Sequence, residues 1–314
     1  MGDNRGLRIR SSGGGAVAVL ALDIGATKFA AGLVDAAGRV SAVRRVPVPD
    51  RDVWQACGGL LREVAAGAAV TAVGIGSAGP VDVPSGITRA LNIPQWRDGF
   101  AIVAAVGALF PGAVVRFALD GACLALAEHY SGALRGLRNG LAITVSSGIG
   151  GGILVDGRVS TGRTGNAGHI GHIVVPGWDV PCACGGFGCL EAVASGMSSV
   201  RWARAQGWAG DTGVELARDA RAGETIALAA LERAGTALGI AVSSAAALLD
   251  VDTVVVGGGF ADSGEPLWAP LRAAAARHAG LGFIRELRVE RSGLAEGATL
   301  RGAAILAAGL SVQA

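Results

Sequence analysis

The segment GHIGHIVVPGWDVPCACGGFGCLE, residues 168–191, concentrates two histidines, three cysteines and a glutamate in a chain otherwise poor in polar chemistry. Cys182, Cys184 and Cys189 form Cys-x-Cys-x₄-Cys, with His172 ten residues upstream of the first. Three thiolates and an imidazole suit a tetrahedral Zn²⁺, and four protein ligands leave no open position, so the reading is a structural metal site. The alternative is a set of reduced core cysteines. The residues interleaved with these ligands, among them His169 and Glu191, have the donors and acceptors that a polar small molecule needs.

Two glycine-containing loops offer a second chemistry. AVAVLALDIGATKFAAGLVDAAGRV, residues 16–40, reads as a strand, a loop with Asp23, Gly25 and Thr27, a second strand and an Asp-x-x-Gly turn. LAITVSSGIGGGILVDGRVSTG, residues 141–162, repeats that plan with Ser146-Ser147-Gly148 in the loop. Such loops aim backbone N–H groups at one point, as phosphate oxygens require. One alone would be an ordinary hairpin; two at matching places in two halves point to a ligand. Neither is a Walker A loop, which would end in Gly-Lys-Ser/Thr, and neither opens a helix as a dinucleotide fingerprint does.

These elements must be positioned by the rest of the chain, and its pattern alternates. Helices are expected near 53–66, 101–110, 121–130, 225–249, 266–278 and 300–309, and strands near 72–75, 114–118 and 253–256. The class is α/β. Paired halves, each with a phosphate hairpin, imply the two-lobed actin-like ATPase fold (sugar kinase, Hsp70, actin), with an interlobe active-site cleft holding a nucleotide. A third turn, VVVGGGF at 254–260, lies at the carboxyl end of a buried strand, where α/β sheets place ligands; Gly257 and Gly258 are assigned to the adenosine side, or else form a plain strand-to-helix turn. The expected organisation is a disordered tail over 1–15, a small lobe over 16–117 on which a helix at about 298–314 packs back, and a large lobe over 118–297 carrying a zinc loop at 172–189.

Composition excludes other classes. Hydrophobic residues make up 51% of the 314, charged residues 17%, and 52 glycines break the apolar runs, so no transmembrane helix is expected. A net charge of +2 without a Lys/Arg block argues against nucleic acid as a partner. Five cysteines, three of them clustered, argue against a disulfide framework and for the cytoplasm; Cys57 and Cys123 read as buried hydrophobes.

VSSGIGGGI at 145–153 with Gly162, Gly168, Gly171 and His172, CACGGFGCLE at 182–191, GIGSAGPVD at 74–82 and ALNIPQW at 90–96 together resemble the ROK family of repressors, open reading frames and kinases, from about Ala16 to the C-terminus. The resemblance is strongest to its bacterial sugar kinases of the glucokinase and N-acetylmannosamine kinase type. It implies ATP- and Mg²⁺-dependent phosphorylation of a hexose or N-acetylhexosamine at its 6-hydroxyl, and a homodimer. Family repressors carry a winged helix-turn-helix ahead of this domain, and some fifteen residues before the first strand are too few for one. The rival reading is a catalytically weak sugar-sensing or regulatory protein.

The resemblance places the catalytic base at Asp120, which on sequence alone reads more readily as the cap of the following helix, a role compatible with the first. Asp23 is assigned to Mg²⁺ through water. Gly25, Thr27, Ser147 and Gly148 are donors to phosphate oxygens, and Lys28 is a phosphate contact or a solvated turn residue. Asn92, Asp120, His169, His172 and Glu191 are assigned to the sugar; without the family, Asn92 is a turn residue and Glu191 a helix-start acid. Two departures bear on the substrate. The family commonly reads Asn-Asp where this chain has Leu119-Asp120, and many glucokinases have a glutamate where this chain has His169; a similar histidine occurs in bacterial N-acetylmannosamine kinases. Polyphosphate would use similar loops as donor.

Overall fold

The structure, a computed structural model, describes residues 17–294 and 297–310; the expected tail over 1–15 lies outside them. The chain forms two compact units. Among the described residues the first holds 17–123, 161–166 and 297–310, and the second 124–160 and 167–294.

In the first unit, β1 (Val17–Ile24), β2 (Lys28–Val34) and β3 (Val40–Pro47) make an antiparallel run, followed by α1 (Val53–Ala65) and β4 (Ala69–Ser77). The short ribbon β5 (Val81–Asp82) and β6 (Ile87–Thr88), α2 (Ile102–Leu109) and β7 (Val114–Leu119) complete it, in the sheet order β3-β2-β1-β4-β7. β1, β4 and β7 are parallel, and the core strands β1 and β4 read as near-continuous apolar runs because both sheet faces are covered. The chain passes into the second unit within α3 (Asp120–Ser131).

The second unit repeats the plan. β8 (Gly140–Val145), β9 (Ile149–Val155) and β10 (Arg158–Ser160) are the antiparallel run; α4 (Leu190–Ala194), α5 (Gly196–Ala205), α6 (Gly213–Arg221) and α7 (Thr225–Leu249) precede β11 (Thr253–Gly257), α8 (Glu265–His278) and β12 (Arg288–Arg291). Its order, β10-β9-β8-β11-β12, has the same mixture of antiparallel and parallel pairs as the first sheet. The two hairpins legible in the sequence are therefore the leading hairpins of two sheets of one topology.

By length and hydropathy α7 would pass as a membrane span. It is instead the core helix of its unit, because Gly235 and Gly239 allow α8 to approach closely: an added Cβ would lie 2.3 Å from the Leu267 carbonyl at one and 2.4 Å from that of Leu271 at the other. The last helix, α9 (Ala298–Ala307), returns to the first unit and packs on β1 and β4, with Gly74 beneath Ala303 and Ala307.

The sequence pattern locates these elements to within about three residues at each end. It misses β3, the short strands β5, β6, β10 and β12, and the helices α5 and α6. The start of α6 was legible: Thr212 and Glu215 form a reciprocal capping box.

Candidate active site

Asp23 and Asp120 come together at the carboxyl edge of the first sheet. Register places Arg45, Ala30, Asp23, Gly76 and Ala118 in one row across β3, β2, β1, β4 and β7, so all five share a face. Asp120 follows two residues after Ala118 and heads α3, accepting the Gly121 N–H at 2.7 Å. The helix thus begins at the aspartate and not after it, and the carboxylate lies within the positive N-terminal turn. Gly76 is closely packed, since an added Cβ would lie 3.0 Å from the Cys123 sulfur.

Asp23 carries the clearest electrostatic signature. Its pKa is raised to about 7, first by burial and then by the Asp120 charge, against the pull of Lys28 and Arg45. Arg45, on the unassigned strand β3, is a neighbour that sequence reading missed; its signal lies in strand register, which no local pattern carries. Gly25 N–H closes the loop onto the Lys28 carbonyl at 3.1 Å, and Thr27 and Lys28 are exposed at its tip. Leu119 is 1% exposed, on the sheet face opposite Ala118. It is a core residue, so the polar contact that the family's asparagine would make has no apolar replacement at the surface.

Also in the first unit, Asn92 is exposed in a turn whose Leu91 N–H bonds the Gly79 carbonyl at 3.2 Å, while Arg97 donates twice to the Leu91 carbonyl. Asn166, unremarked in the sequence, pairs with Val81 through both ends of its amide, at 2.8 and 2.6 Å.

In the second unit the loop between β8 and β9 borders a cavity of about 720 Å³ lined by Ser146 and Ser147, by Met197, Val200, Arg201 and Arg204 of α5, by residues 211–214 and by Gly259 and Phe260. Its apolar rim is exposed, Met197 by 63% and Val214 by 79%. Gly258 has φ +96° and packs against the Val145 backbone, and Gly257 packs against Ser292. The assigned pair therefore forms the floor of this turn, while Gly259 faces the cavity. Glu191 reaches the same loop: its Oε2 accepts the Ile149 N–H at 2.7 Å, and an added Cβ at Gly148 would fall 2.5 Å from that oxygen.

The four ligand atoms of His172, Cys182, Cys184 and Cys189 lie within 4.8 Å of one another. Cys184 and Cys189 sulfurs are 3.7 Å apart, and His172 Nδ1 is 3.9 Å from the Cys182 sulfur. A tetrahedron with Zn–S of about 2.3 Å and Zn–N of about 2.0 Å has edges of about 3.5–3.8 Å, so the donor set fits that ion. The Gly186 N–H lowers the Cys184 pKa, whereas burial raises those of Cys182 and Cys189. His169 sits beside His172 with ring centroids 5.7 Å apart, and burial, then the His172 charge, lowers its pKa. Cys57 and Cys123 are buried, as expected.

Two sheets of one topology, each led by a glycine hairpin, define the actin-like ATPase fold. Residues 19–309 match the model of the ROK family, and the chain belongs to that family. It is 33% identical to a glucokinase of Thermotoga maritima over 91% of this chain and 96% of that one. It is 35% identical to an N-acetylmannosamine kinase of Salmonella typhimurium over 59% of this chain and 64% of that one. Among solved structures, a ROK family glucokinase from Streptomyces griseus in complex with glucose and AMPPNP superposes with a TM-score of 0.79 at 32% identity, covering 92% of this chain and 99% of the other.

Proposed function

We propose that this chain is an ATP-dependent sugar kinase that transfers the γ-phosphoryl group to the 6-hydroxyl of a hexose or N-acetylhexosamine. The observation that carries the reading is the pairing of Asp23 and Asp120 at one sheet edge, in a family whose relatives named above phosphorylate sugars. Phosphoryl transfer is catalysed by positioning and charge, with a carboxylate taking the proton of the attacking hydroxyl. Asp120 is assigned that role. Asp23 is assigned to the hydrated Mg²⁺ of the nucleotide, which when bound neutralises charge on the phosphates; Lys28 and the Thr27 N–H are assigned to the same oxygens, whereas the Gly25 N–H, expected as a donor to them, is taken by the Lys28 carbonyl.

In the second unit, Ser147 and Gly148 are assigned to phosphate oxygens. The cavity beside them, lined by apolar Met197, Val200, Val214 and Phe260 together with polar Ser146 and Ser147, suits an adenosine moiety. Asn92, His169, His172 and Glu191 are assigned to sugar hydroxyls, and Zn²⁺ at the His-Cys₃ cluster to ordering the loop that carries His172. A histidine N–H at position 169 can donate to a carbonyl, which supports an N-acetyl sugar among the acceptors. The cytoplasm and a homodimer complete the reading.

The test is ADP release with ATP and Mg²⁺ across glucose, mannose, N-acetylglucosamine and N-acetylmannosamine. Turnover on at least one is expected. Sugar binding without turnover would favour a sensor over an enzyme.

A further inference from the structure

Arg233 is a cation placed where charge is costly. It lies on α7, half-buried, with its guanidinium carbon 5.9 Å from the Trp178 ring centroid and 5.6 Å from that of Trp202. It donates to the Val193 carbonyl. Burial, and then the charge of Arg201, lower its pKa. Among the described residues no carboxylate pairs with it. Indole faces attract a guanidinium within about 6 Å, and the planar Arg head suits stacking where the ammonium of Lys does not.

The three groups it touches belong to three elements of one unit. Trp178 stands in the loop between His172 and Cys182. Val193 ends α4, which starts directly after Cys189 and carries Glu191. Trp202 is on α5, whose Met197, Val200 and Arg201 line the cavity. The His-Cys₃ cluster gathers the loop at its two ends, and Arg233 holds it at Trp178, near the middle.

We propose that Arg233 is a positioning residue for the acceptor sugar: by clamping Trp178 and α4 to α5, it fixes the loop and helix that carry His172 and Glu191. This rests on the kinase reading, which assigns those two residues to sugar hydroxyls. A loose loop would cost acceptor binding, whereas α5, which lines the cavity, keeps its own packing on α6 and α7 and so holds the nucleotide side.

The test compares Arg233→Met, Arg233→Lys and Trp178→Leu with wild type. In Arg233→Met, KM for the best hexose and its Kd by calorimetry without ATP should rise about tenfold, while kcat and KM for ATP stay within about twofold. Arg233→Lys should recover only part of the loss. Trp178→Leu should reproduce it, and the double variant should add little, as expected of two residues in one contact. Unchanged sugar affinity in Arg233→Met would overturn the proposal, as would equal losses on both substrates with a lowered Tm. If Arg233→Met does not fold, Trp178→Leu decides by the same criteria. Cleavage of the 173–188 loop by a broad-specificity protease reads the clamp without turnover. It should be faster in Arg233→Met, and an equal rate would refute the clamp even if the wild type transferred no phosphoryl group.

Discussion

The Glu191 carboxylate accepts the Ile149 N–H at 2.7 Å, across 42 residues of sequence, and so ties the start of α4 to the glycine loop of the second sheet. Ile149 is buried, so removing the acceptor strands a buried donor at a cost of about 1–3 kcal/mol. Glu191→Ala should lower the unfolding free energy by that amount, and Glu191→Gln, whose amide oxygen can still accept, by less than half of it. Gly148→Ala should displace the carboxylate and reduce kcat/KM by about tenfold or more, because its Cβ would collide with Oε2. Denaturant titration and initial-rate kinetics on the three variants check this.

Asp120→Asn should reduce turnover by about a hundredfold or more and leave ATP affinity nearly unchanged. The amide oxygen can keep the Gly121 contact, so stability should hold. Calorimetric ATP binding beside steady-state rates separates the roles: intact turnover would make Asp120 a helix-end residue only.

The raised pKa of Asp23 gives stability an unusual pH slope. Its folded pKa of about 7 lies above the ordinary carboxylate value near 4, so the folded state binds the extra proton between them. The contribution is fully present below about pH 4 and is lost as pH rises toward 7, at up to about 1.4 kcal/mol per pH unit. Urea midpoints of protein free of nucleotide and divalent metal should therefore fall across this window relative to Asp23→Asn. Asp120→Asn should narrow the window, because the Asp120 charge is the second cause of the shift.

One Zn²⁺ per chain is expected on elemental analysis of purified protein. Cys184→Ser should lower Tm and sugar affinity together, since binding free energy at such a site is also folding free energy. Substoichiometric zinc that added metal under reducing conditions does not restore would leave four reduced residues.

His169→Glu should shift the ratio of kcat/KM for N-acetylmannosamine over glucose toward glucose by about fivefold to tenfold, the worth of about one hydrogen bond. An unchanged ranking would remove His169 from sugar selection.

What the sequence alone determined was local chemistry with fixed spacing. Cys-x-Cys-x₄-Cys after His172, the twin glycine hairpins and the long apolar helix at 225–249 each carry their signal within a few dozen residues, and the structure has them at those positions. Tertiary structure decided what depends on register and packing. Arg45 joins Asp23 only because β2 aligns Ala30 between them. Gly258 and Gly259 are the same residue type in one turn, yet the first is taken up by the Val145 backbone and the second faces the cavity. Leu119 and Asp120 are adjacent in sequence, but the alternation of a strand turns the leucine into the core while the aspartate begins the next helix. Arg233 reads as a surface charge on an apolar helix until two tryptophans, 55 and 31 residues before it, close over it. Such contacts join segments distant along the chain, so their signal exists only once the strands have paired and the helices have packed.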